Sequence, residues 1–151
     1  NLFYEPAPGD IVVLCGEADR EEGRNLIKRI IAVGGQTIDI DFETGEVTVD
    51  GEMLDEPYIL ERTHLDEGTE FPLTVPEGSV FVMGDNRNHS NDSRDYRLGT
   101  VDTRYIIGKA VFLLYPGADQ DTEKRDFGRI GTIRGTDSCQ VDLNRAQRAW
   151  A

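Results

Sequence analysis

A chain of 151 residues lies in the single-domain range and can bury one core. Its 38% hydrophobic and 30% charged residues describe a globular domain, and the longest apolar run, Ala110 to Tyr115, is far shorter than the ~20 residues that cross a bilayer. The net charge of -13, from 29 acidic against 16 basic residues, argues against nucleic acid as a partner and against electrostatic attraction to anionic lipid headgroups.

Period-two alternation and β-branched residues dominate the first three quarters of the chain, which predicts a mainly β fold. Pro6, Pro8 and Gly9 punctuate the start, and Asp10 to Leu14 reads as a short buried strand. Gly16 to Gly23 is a charged loop, and Asn25 to Val33 a longer strand closed by Gly34-Gly35. Thr37 to Phe42 alternates with Ile38, Ile40 and Phe42 on one face, and Glu46 to Asp50 alternates again. Asp50-Gly51 then marks a tight hairpin into Glu52-Met53-Leu54, because type I′ turns need positive φ at both central residues. Residues 55 to 70 read as a surface excursion with at most one short strand.

Beyond it, Phe71 to Val75 and Ser79 to Met83 read as strands separated by the Pro76-Glu77-Gly78 turn. A long polar loop follows, and Tyr105 to Tyr115 resumes the β pattern until Pro116-Gly117. We divide the chain into a main unit over residues 1–117 and a polar extension of the same domain over 118–151, where Asp142 caps a short helix through Ala149. Cys15 and Cys139 are too far apart for a C-x-x-C pattern, so their pairing stays open. Cys15 continues an apolar strand and reads as a buried thiol. His64 and His89 are read as exposed, and no spacing matches metal ligation, so no metal or other cofactor is implied.

Two segments stand out chemically. The loop Gly84-Asp85-Asn86-Arg87-Asn88-His89-Ser90-Asn91-Asp92-Ser93-Arg94 crowds acids, amides, arginines and serines between apolar strands, which demands a dense hydrogen-bond network wherever water is excluded. Ile27-Lys28-Arg29-Ile30-Ile31 sets two cations in an apolar strand, and alternation sends them to opposite faces. A lysine desolvated there loses proton affinity: lowering its pKa from about 10.4 to about 7 takes roughly 4–5 kcal/mol, and the neutral amine is a general base. The competing reading is a lysine that snorkels from an edge strand.

The Gly9-Asp10-Ile11-Val12-Val13 strand, the Lys28-to-Gly35 segment and the Gly84-to-Arg94 loop together resemble three successive boxes of the bacterial type I signal peptidases, in family order. Asp50-Gly51 and Asp55-Glu56-Pro57-Tyr58-Ile59 resemble the Gram-positive-type branch, and the likeness runs from Leu2 to Pro116. The resemblance implies a signal-peptidase-like β-barrel or sandwich of antiparallel strands with an inserted or extended hairpin region. It also implies a Ser/Lys endopeptidase that removes signal peptides from exported preproteins after a small-x-small motif, at the outer face of the cytoplasmic membrane. In that reading Lys28 is the general base and Ser90 orients its amine. Asp92 and Arg94 form a supporting ion pair, Asp85 and Arg29 a second one, and Gly84 and Gly34 let backbone pass close to the site.

Two departures qualify the likeness. The family often carries Pro-Gly-Asp across the turn where this chain reads Val33-Gly34-Gly35-Gln36. More consequentially, the family's nucleophilic serine sits in a Ser-Met-x-Pro-Thr box upstream of the Gly9-Asp10 strand, and these residues contain no Ser-Met or Pro-Thr dipeptide. The expectation is a nucleophile and a membrane anchor preceding Asn1, and no peptidase activity from these residues alone. The alternatives are a non-catalytic homologue that binds secreted subunits, against which Lys28 and Ser90 speak, and a self-cleaving repressor domain, which lacks here its DNA-binding segment and Ala-Gly cleavage site.

Overall fold

The computed structural model describes residues 4–15, 25–113 and 130–133. The chain forms strands β1 (Ile11–Leu14), β2 (Leu26–Val33), β3 (Thr37–Asp41), β4 (Glu46–Val49), β5 (Glu52–Met53), β6 (Leu73–Thr74), β7 (Ser79–Met83), β8 (Val101–Asp102), β9 (Ile106–Lys109), β10 (Phe112–Leu113) and β11 (Gly131–Thr132). Two short 3-10 turns, Arg87–His89 and Thr103–Tyr105, are the helical pieces among the described residues. One sheet has the order β8-β7-β2-β1-β9 and a second β5-β4-β3-β6, while β10 and β11 pair as a ribbon. Every strand pair is antiparallel.

The sequence explains why the long sheet is buried on both faces. Along β2, alternation turns Leu26 and Ile30 toward Val12, Leu14, Val80, Val82, Val101 and Ile106. A register shift between Ile30 and Ala32 then places Ile31 and Ala32 together in a second cluster with Ile38, Ile40, Val47, Val49, Val75, Phe81 and Met83. That second cluster joins the long sheet to β3 and β4, and it is extended by edge-on stacking of Phe42, Phe71 and Phe81.

The Asp50-Gly51 turn has φ of 53° and 80°, the pair of positive values that the dipeptide predicts. Strand β6 is shorter than the expected Phe71 to Val75, and β8 was not foreseen, since two residues carry too little alternation to be read. The expected Tyr105 to Tyr115 strand is broken: Tyr105 closes a 3-10 turn in which the Asp102 side chain accepts from Arg104 N, and only then does β9 begin. The Gly16 to Gly23 loop, Cys139 and the Asp142 to Ala149 helix lie outside the described residues. Cys15 is half-buried rather than buried.

The excursion over residues 55–70 corrects the reading most. No strand forms there, but Tyr58 and Thr63 are buried, and the segment reaches inward as well as over the surface. No helix among the described residues is long and apolar enough to cross a membrane.

Candidate active site

Strand β2 runs between β1 and β7, with Lys28 opposite Val12. Lys28 is half-buried, and its Nζ donates to Ser90 Oγ at 2.8 Å across 62 residues of sequence. Ser90 leaves the Arg87–His89 turn in extended conformation and sits over Gly84. A Cβ on Gly84 would lie 2.1 Å from Ser90 Oγ and 2.5 Å from its Cβ, so only glycine lets the serine lie against the strand end. Gly34 answers to a different neighbour, the Pro76-Glu77 turn, with Pro76 O 3.1 Å from where its Cβ would be; its place beside the Lys28 site is corrected.

Alternation carries Arg29 to the opposite face, where it is 1% exposed. Its Nε and Nη2 donate to the two oxygens of Asp85, each at 2.8 Å, and its Nη1 to Gly9 O at 3.1 Å. The guanidinium also lies 3.9 Å over the Tyr58 ring. Burial is the main reason the Tyr58 hydroxyl is pushed up to about 12, with the nearby Glu56 charge adding to the rise.

Asp92, Ser93 and Arg94 are fully buried, so their polar atoms need partners inside the protein. The Asp92 carboxylate accepts from Gly84 N at 2.8 Å and from Arg94 Nε and Nη2 at 2.8 and 2.9 Å. Ser93 continues the edge of β7, its N donating to Val82 O and its Oγ accepting from Val82 N, both at 3.0 Å. Arg94 donates further to Arg87 O and Leu65 O. Burial alone works against its charge, but the Asp92 and Glu67 carboxylates more than compensate and raise its pKa further.

Sequence reading assigns no role to Arg87, Glu56, Thr63 or Glu67. Arg87 is fully buried and donates to Gly84 O at 3.0 Å, to Thr63 Oγ1 at 3.0 Å and to Glu56 through two bonds of 2.6 and 3.1 Å. Glu56 belongs to the Asp55-to-Ile59 segment, which the resemblance picks out without a role; no local pattern pairs it with an arginine 31 residues away. Around Gly84, three arginines thus meet three carboxylates in Arg29–Asp85, Arg87–Glu56 and Arg94–Asp92. Together they hold the loop so that the hydroxyl of Ser90 meets the amine of Lys28. The two histidines are exposed, as read.

A half-buried amine within hydrogen-bond reach of a hydroxyl from the loop after β7 is a geometry that proton transfer can use. The family model described as signal peptidase, peptidase S26 matches residues 2–115. The chain belongs to the signal peptidase family. Signal peptidase I of Mycobacterium tuberculosis is 36% identical over 159 residues, which cover 76% of this chain and 54% of that protein. The probable signal peptidase I-1 of Synechocystis is 40% identical over 121 residues, covering 77% and 58%. Signal peptidase I S of Bacillus subtilis is 34% identical over 116 residues, covering 72% and 59%. The chain therefore spans a little over half the length of these signal peptidases. A solved signal peptidase I from Enterococcus faecalis superposes with a TM-score of 0.55 at 28% identity, over 70% of this chain and 97% of that one. The mainly β, antiparallel architecture is that of a signal peptidase.

Proposed function

We propose that this chain is the catalytic domain of a Ser/Lys signal peptidase in which Lys28 is the general base and Ser90 its orienting hydroxyl. The observation that carries the reading is the 2.8 Å bond from Lys28 Nζ to Ser90 Oγ. A neutral amine has two N–H donors and one lone pair, so giving one N–H to Ser90 turns the lone pair toward the space where a nucleophile's proton must go. The apolar strand around Lys28 supports the neutral form, because desolvation penalises the ammonium.

In this mechanism Lys28 takes the proton of a serine hydroxyl as that oxygen attacks the scissile carbonyl. The lysine then hands the proton to the leaving amine, and an ester to the serine remains. Water, deprotonated by the same amine, cleaves the ester and regenerates the serine. The nucleophile of this reading belongs to a Ser-Met-x-Pro-type segment that the 151 residues do not contain, and Ser90 is already committed to Lys28. The oxyanion donors would come with that segment. Asp92–Arg94 and Asp85–Arg29 hold the loop and the strand that present the pair.

The substrates are exported preproteins bound as an extended strand, with small side chains at alternate positions entering shallow pockets. The site of action is the outer face of the cytoplasmic membrane. Exposed Ile107, Val111, Phe112 and Ile130 along β9 to β11 support apolar rather than charged contact with lipid, in keeping with a chain that is strongly acidic. The test is a direct titration. The sequence has only Lys28, Lys109 and Lys124 as lysines, so the 13Cε resonance of Lys28 is separable from the others. We expect its midpoint well below the ordinary value of about 10.4. A midpoint at that ordinary value would sink the general-base reading.

A further inference from the structure

Glu67 has no part in the mechanism above, yet it lies against the same network. It comes from the excursion, and both sides of it are fastened to the segment that follows Ser90. Leu65 O accepts from Arg94 Nη1 at 3.3 Å, Tyr96 N donates to Glu67 O at 3.3 Å, and Thr69 N donates to Arg94 O at 3.1 Å. Gly68 bridges to Asp95 with φ of 90°, and a Cβ there would stand 3.2 Å from the Tyr96 ring. The glycine thus permits the close approach that drives Glu67 inward.

The carboxyl so placed is unusual in its surroundings. Its Oε2 is buried and has no hydrogen-bond partner, although Arg94 Nη2 stands 3.5 Å away. That nitrogen is already engaged by Asp92 and by Arg87 O. A carboxylate left short of donors in a partly dry site acts on its neighbours mainly through charge.

We propose that Glu67 is a positioning residue of the Lys28 site, a carboxylate held against the Arg94–Asp92 pair that sets the charge felt by the Lys28–Ser90 hydrogen bond. The inference rests on the general-base reading of Lys28 and adds a residue to it. Four charged groups bear on Glu67: Arg94, Asp92 and Asp95 from the loop, and Lys28 from β2. Burial pushes the Glu67 carboxyl up to about 7; Arg94 pulls it down, Asp92 and Asp95 push it up, and Lys28 pulls it down. Coupling between two charges is mutual, so an ionised Glu67 favours the ammonium form of Lys28. Removing that charge leaves the amine neutral at lower pH.

The experiment follows the Lys28 13Cε resonance across pH in wild type, Glu67→Gln, Glu67→Asp and the exposed control Glu61→Gln. In Glu67→Gln the Lys28 midpoint is expected to fall by about 0.5 pH unit or more, with Glu61→Gln unmoved. Glu67→Asp should restore the wild-type midpoint; a value as low as that of glutamine would assign the effect to shape and overturn the inference. So would an unmoved midpoint in Glu67→Gln. The coupling is also readable without altering Glu67: in Lys28→Gln the Glu67 13Cδ midpoint should rise, and an unchanged value counts against the proposal. A wild-type Lys28 midpoint near 10.4 defeats the general-base reading itself, whereas a low midpoint insensitive to Glu67→Gln defeats only this one.

Discussion

Gly84 carries the tightest constraint on the site, since it has a clash to avoid and no conformational demand of its own. Its backbone is not in the left-handed region, but a Cβ would collide with Ser90. Its N–H binds Asp92 and its carbonyl binds Arg87, so the strand end cannot slide away. Gly84→Ala is therefore expected to displace Ser90 from Lys28 at a stability cost of about 1–3 kcal/mol, as overpacking usually does. The check is paired: urea denaturation reads the cost, and the Lys28 titration reads the loss of its hydroxyl partner. An alanine variant with a wild-type Lys28 midpoint would mean that Ser90 does not hold the amine.

At the scale of elements, the excursion over residues 55–70 acts as a brace. It supplies Glu56 and Thr63 to Arg87, the Tyr58 ring to Arg29, and Leu65 O to Arg94. Arg29, Arg87 and Arg94, which hold the Gly84-to-Arg94 loop in place, thus each touch the excursion. Glu56→Ala would strand the Arg87 guanidinium, which is fully buried, without its counter-charge. Breaking one side of such a pair costs about 3–5 kcal/mol, far more than a surface ion pair, and chemical denaturation should read it. A loss under about 1 kcal/mol would place Arg87 in water in solution. Sequence reading takes this stretch for a surface feature because its inward residues are polar and lack any periodicity. Their partners lie 24 and 31 residues away, beyond any local pattern. Most strands, by contrast, were legible: β3 and β4 bury alternate residues, β1, β2 and β7 are short apolar runs buried on both faces, and the Asp50-Gly51 turn carries its own φ preference.

For the whole molecule, two carboxyls set opposite limbs of stability against pH. Burial works to raise the Asp10 pKa, but the Lys109 ammonium and the Tyr4 hydroxyl outweigh it and leave the value below 3.8. Its contribution is present above 3.8 and is lost as pH falls through the folded value. Glu67 behaves in the other sense. Its folded pKa of about 7 exceeds the unfolded 4.5, so the folded state holds a proton that the unfolded state releases between them. Stability from this group is therefore full below 4.5 and declines as pH rises toward 7. In thermal melts, Glu67→Gln should flatten the decline between about pH 5 and about pH 7 relative to wild type. Parallel curves over that window would show that Glu67 is not protonated in the folded protein.

The sequence by itself determined the β class, the positions of the longer strands β1 to β4 and β7, and the candidate residues, because apolar runs, alternation, turn dipeptides and the three boxes are written in short stretches of chain. It also separated Lys28 from Arg29, since adjacent strand residues must face opposite ways. The three boxes also implied the meeting of Lys28 with Ser90; what only the tertiary structure decided is that Arg87 meets Glu56 and Glu67 meets Arg94. Those contacts depend on where a loop and an aperiodic excursion close on the end of β7. That closure is governed by the pairing of buried charges, and it leaves no periodic trace in the order of residues.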